Sequence, residues 1–354
     1  MHGKTGLAIQ FYHLAKKTGN TAFETFSGEL LDDIIQALST QVPLDFENGL
    51  AGIGWGFEYL IQNGFLDADA DDVLEELDNQ IFRTFLGNTS ANFSLLNGVL
   101  GTGYYFLKRI RGACKKQKNV IIGTNELALL QICDQLNQMV TANNGFAKEP
   151  CEPTTSNVQK SSPNGYNVPF FDITWNLTAL IGFLIELQEL NTPKFDPTNL
   201  LNKVLTPLLL TSSLPLLQCN RMLLLYHLIK LKNTVDMKQG NSKNEIGLLS
   251  NQIIKNIITG FDNEKYNNEL CGLNFSIRNG ISGVAIIQRK LYEQTCDLKY
   301  KNEHTNLLSK LKQKEFISRF RYDYSNPVKV NEHELGVLQG ISGLLVTALL
   351  TETD

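Results

Sequence analysis

Asn48-Gly49-Leu50-Ala51-Gly52-Ile53-Gly54 decides the fold, because it comes back. It returns as Asn97-Gly98-Val99-Leu100-Gly101-Thr102-Gly103, as Asn279-Gly280-Ile281-Ser282-Gly283 and as Gln339-Gly340-Ile341-Ser342-Gly343. His2-Gly3-Lys4-Thr5-Gly6 is a fifth copy. The first glycines stand 46, 49, 182 and 60 residues apart. Self-similarity at such a period marks a repeat architecture. The interval of 182 residues is too long for one unit, so two worn copies are expected inside it. Thr178-Ala179-Leu180-Ile181-Gly182 keeps only the second glycine, and Cys219-Asn220-Arg221-Met222-Leu223 keeps neither. The count is then seven units.

Each copy leads into an apolar helical tract: Leu7 to Leu14, Phe57 to Ile61, Tyr104 to Ile110, Phe183 to Leu190, Leu223 to Leu231, Val284 to Leu291 and Leu344 to Leu350. Helices apolar nearly all round are buried. More polar, amphipathic segments lie between them, at 28–40, 70–87, 123–141, 197–211, 243–259 and 303–313. No clean alternation with hairpin turns points to strands. Buried helices alternating with polar-faced ones give an all-α, seven-fold α/α toroid, an inner ring shielded by an outer ring. Closure removes the open ends that a solenoid must cap. The glycines are expected to let the inner helices begin close together. The chain starts inside the first inner motif and ends in the seventh, so the first outer helix is expected to be missing. A single domain over 1–354 follows.

The composition fits. Hydrophobic residues make up 42 % of the 354 positions and charged residues 19 %. That is ample core for a folded chain. A net charge of −4 argues against nucleic acid as partner, since phosphate recognition needs a basic surface. No run reaches the roughly 18 apolar residues of a membrane-spanning helix, and the first residues do not read as a secretory signal. The six cysteines are scattered without a CxxC pair, which suggests reduced thiols and a cytoplasmic location. Residues 142–172 interrupt the repeat. They are polar and rich in Pro, Asn and Ser, and read as a long loop insertion. The aromatics Tyr166, Phe170, Phe171 and Trp175 at its end are expected to fold it back over the ring.

The tracts NGLAGIGWGFEYLIQNGF, LLNGVLGTGYYFLKRI, RNGISGVAIIQRKL and LQGISGLLVTALL resemble the lanthionine synthetase C-like family. The resemblance implies a seven-fold α/α toroid. It also implies thioether-forming cyclisation, in which a cysteine thiol of a dehydrated precursor peptide adds to a dehydroalanine or dehydrobutyrine. Peptide or precursor peptide is then the expected partner. In the family a zinc ion held by two cysteines and a histidine delivers the thiolate, the reactive form of the thiol. The ligands come from W-C-Y-G and C-H-G motifs, with a further H-G histidine as acid/base.

Carried over residue by residue, C-H-G falls on Arg278-Asn279-Gly280 and the H-G histidine falls on Thr178-Ala179. Cys219 alone stands at a ligand position. One thiolate does not hold zinc, which takes three or four protein ligands. The sequence therefore supports no cofactor, and it points to peptide binding without catalysis as readily as to peptide modification. The histidines His2, His13, His227, His304 and His333 do not rebuild the set. Asn48, Asn97, Trp175, Thr178, Cys219, Arg278, Asn279 and Gln339 are the expected lining of the cleft. Arg278, a cation in place of a metal ligand, would suit an anion or carboxylate. The alternative is a carbohydrate-active enzyme on an α/α toroid. Its rim carboxylates would be Asp45, Glu47, Asp172, Glu269, Glu332 and Glu334, one acting as acid and one as base or nucleophile.

Overall fold

The computed structural model describes residues 3–38, 42–87, 92–115, 122–142, 148–151, 169–190, 194–236 and 241–313. Six helices form the inner ring: α1 (Lys4–Thr18), α3 (Leu50–Gln62), α5 (Val99–Lys115), α7 (Asn176–Glu189), α9 (Gln218–Asp236) and α12 (Ile281–Thr295). Each packs against the next in that order. Each also packs against the helix that follows it in the chain. These outer partners are α2 (Thr21–Ala37), α4 (Ala70–Gly87), α6 (Ile122–Ala142), α8 (Thr198–Leu205), α10 (Asn241–Thr259) and α13 (Leu298–Lys312). The architecture is the all-α toroid expected from the repeat. Six of the seven units lie within the described residues. The seventh inner tract, Gln339 included, lies outside them, as does most of the 142–172 insertion. No strand forms among the described residues; there are two isolated bridges, one joining Cys151 and Pro169 across the insertion. No helix among them is long and apolar enough to cross a membrane.

The glycines act differently from expectation. In three units the residue after the first glycine donates its N–H to the carbonyl seven positions earlier: Leu50 to Pro43 at 2.8 Å, Val99 to Asn92 at 3.0 Å and Ile281 to Asn274 at 2.8 Å. The helix start thus folds onto its own leading loop. A Cβ at Gly49 would lie 2.2 Å from the Pro43 carbonyl oxygen, and one at Gly98 would lie 2.4 Å from that of Asn92. The first glycines are therefore fixed by contact inside one unit rather than by crowding of helices at the axis. Approach between helices falls to later glycines. A Cβ at Gly54 would strike the Tyr105 ring of the next inner helix at 2.4 Å.

One helix has no counterpart in the repeat. α11 (Asn263–Gly272) is inserted between α10 and α12 and rests on α9. Asp262 starts it by accepting from the Glu264 and Lys265 N–H groups. The second and third units are bound by a buried ionic network. The Arg109 guanidinium, 1 % exposed, bonds Asp78 on α4 through Nε and Nη2, Glu58 on α3 at 2.8 Å and Asp71 at 3.2 Å. The Tyr105 hydroxyl completes it on Asp78. Burying charges without such partners would be costly.

Candidate functional site

The starts of the inner helices meet at one end of the ring. Their leading segments are short and polar because each must turn the chain and supply N–H partners at a helix start. Asp45 accepts from the Asn48 N–H at 2.7 Å, and Ser276 Oγ accepts from that of Asn279 at 3.1 Å. Asp45 thus works inside its turn.

Three elements distant in sequence converge on Arg278. Its Nε and Nη2 both lie 3.2 Å from Asp172 Oδ2, just ahead of α7. Its Nη1 lies 3.6 Å from Glu47 Oε1, just ahead of α3. Its carbonyl accepts the Ile173 N–H at 2.9 Å. Second, fourth and sixth units are therefore latched together. The expected anion-binding cation has two carboxylates of its own chain. Asp172 is further held by the backbone N–H and hydroxyl of Thr174 at 2.8 and 2.7 Å.

The fifth unit, which lacks both glycines, starts by other means. Glu269 on α11 accepts the N–H groups of Gln218 at 2.8 Å and Cys219 at 2.9 Å. Glu149, from the near end of the insertion, accepts those of Leu216 and Leu217 and the side-chain amide of Asn220. Carboxylates favour the positive end of a helix. Asn220 also donates to the Phe170 carbonyl at 3.1 Å, and Trp175 Nε1 donates to that of Lys148 at 2.7 Å. The two ends of the insertion are therefore pinned over the start of α9, in line with the expected fold-back of its aromatic end. Glu149 escaped the sequence reading, because a bond to N–H groups 67 and 68 positions away leaves no local pattern.

A cavity of about 620 Å³ opens here, lined by Phe170, Phe171, Leu217, Cys219, Glu269 and Asn279 among others. Cys219 itself is fully buried. Burial, the charge of Glu269 and a hydrogen bond to it push the thiol well above its ordinary range. Of the expected lining, Cys219 and Asn279 share this cavity, and Arg278 sits beside it in the chain. Asn48 and Asn97 are exposed and line separate cavities of about 260 and 170 Å³. Thr178 and Trp175 are buried within α7 and its start, with Thr178 Oγ1 on the Trp175 carbonyl. They support the cleft rather than line it.

No group of three His, Cys, Asp or Glu side chains converges among the described residues, and burial with the Glu269 charge raises the Cys219 thiol pKa. The histidines serve packing. His13 Nε2 bonds the Tyr59 hydroxyl, His227 Nδ1 the Leu223 carbonyl and His304 Nδ1 the Ala285 carbonyl. His2 and His333 lie outside the described residues, as do Glu332 and Glu334. All six cysteines are unpaired.

An inner ring of helices wrapped by an outer ring, with a cleft where inner helices start, defines an α/α toroid. Residues 1–121 match the model of the lanthionine synthetase C-like protein family. Among solved structures the chain is similar to one described as nisin cyclase, with a TM-score of 0.57, 13 % identity, and coverage of 99 % of this chain and 87 % of that one. No curated protein matches. Residues 1–121 are thus similar in sequence to that family, and nearly the whole chain shares the fold of that structure.

Proposed function

We propose that this lanthionine synthetase C-like chain holds a peptide in the cleft at the inner-helix starts and does so without the zinc chemistry of the family. One observation carries the reading. Burial and Glu269 push the Cys219 thiol well above its ordinary range, and Arg278, next in the chain to the cavity-lining Asn279, is paired with Asp172 and Glu47. A thiolate-delivering metal needs the opposite, namely deprotonated ligands with free lone pairs. The cavity walls favour a peptide segment. Phe170, Phe171 and Leu217 offer an apolar face, and Asn279 an amide able to pair with a peptide bond.

Glycosidic chemistry finds less support. Asp45, Glu47, Asp172 and Glu269 each hold a backbone N–H or Arg278, so none stands free as acid or base. The test uses a short peptide with one cysteine and one dehydroalanine. Binding by fluorescence anisotropy, with the free thiol still fully alkylated afterwards, with or without added zinc, is the expected result. Zinc-dependent loss of the free thiol would restore the cyclase reading. Absence of binding would sink the proposal.

A further inference from the structure

A second cavity lies on the outer side of the ring, away from the cleft. It measures about 540 Å³ and is enclosed by α9, α10, α11, α12 and α13. Its floor is apolar, with Leu225, Ile257 and Phe261. On its wall, Gln288 Nε2 donates to the Tyr266 hydroxyl at 2.9 Å. Glu303 faces the same hydroxyl, and burial together with its charge raises the Tyr266 pKa.

The polar groups are unbalanced. Gln288 is only 2 % exposed, and its Oε1 has no partner among the described residues. A buried acceptor left without a donor is costly. The nearby cation, Lys299, is already held by Asp297 at 3.1 Å. Glu303 already accepts from Asn306 Nδ2 at 3.3 Å and from the Tyr266 hydroxyl, so the open acceptor is Gln288 Oε1, and the Glu303 charge at the same hydroxyl favours a positive donor. An apolar floor with a few convergent polar groups is the ordinary make-up of a small-molecule site.

We propose that this cavity binds a small amphipathic amine, its apolar body on Leu225, Ile257 and Phe261 and its ammonium toward Glu303 and Gln288. The site shares no lining residue with the peptide cleft. The full chain is titrated calorimetrically with phenethylamine and with 3-phenylpropionate, which share a body and differ in charge. Phenethylamine should bind saturably and 3-phenylpropionate at least ten-fold more weakly. Glu303→Gln should weaken the amine about ten-fold, and Gln288→Leu should weaken it several-fold. Glu303 is partly exposed, so its variant keeps the test decisive even if Gln288→Leu misfolds. Equal binding of both probes, unchanged affinity in Glu303→Gln, or no binding of the amine would each overturn the proposal.

Discussion

Cys219 sits in surroundings that favour its protonated form. Burial acts first, then the neighbouring Glu269. Thiolate is the reactive form, so native protein treated with iodoacetamide near pH 8 should be modified quickly at the exposed Cys114, Cys271 and Cys296 and at least ten-fold more slowly at Cys219. Peptide mass mapping over time gives the rates, and a Cys219 rate equal to that of Cys271 would contradict the buried, neutral thiol. His227 offers a pH test. Burial pushes its imidazole from 6.5 down to about 4. Between those values the unfolded chain takes up a proton that the folded chain refuses. Stability therefore falls as pH drops from about 6.5 to about 4 and levels off below, by on the order of 3 kcal/mol for this group. His227→Gln should flatten the pH dependence of the urea midpoint across that window; an undiminished slope would rule the assignment out. At this scale the candidate site was partly legible. Arg278, Asn279 and Cys219 stood out as the positions on which the family's ligand motifs fall. Which partners would neutralise them was not legible, because Asp172 lies 106 positions from Arg278.

The elements were easier to read than their joints. All six outer segments within the described residues became helices, because amphipathic periodicity is a local signal. α11 was missed: a short, polar helix of 10 residues leaves little periodicity. The close approach expected of the glycines holds for later ones such as Gly54 and Gly56, whereas the first glycines meet their own leading loop, since a repeat shows where a small residue is required and not what presses on it. A pair of substitutions separates the cases. Gly101→Ala should cost about 1–3 kcal/mol, because its Cβ would meet the Leu95 carbonyl at 2.2 Å and Phe46 Cβ at 2.6 Å. Gly28→Ala, in the middle of α2 with nothing within 4 Å, should gain up to about 1 kcal/mol. Chemical denaturation measures both, and equal effects would show that the contact distances do not govern the outcome.

Across the whole molecule, the inner helices are joined in sequence order except where Arg278 ties the sixth unit to the fourth and second. Arg278→Gln should therefore raise amide exchange in three separated segments at once: 43–49, 169–175 and 274–280. Exchange raised in 274–280 alone would reduce the latch to a local contact. The self-contained turns bear on how such a ring is inherited. A unit whose helix start fits its own leading loop carries its instructions with it, and copying it needs no matching change elsewhere. The second, third and sixth units are of that kind. The fifth has shed its glycines and leans on Glu149 and Glu269, which belong to other parts of the chain. Its start depends on residues outside its own turn, so a copy of this unit alone would not carry what holds it.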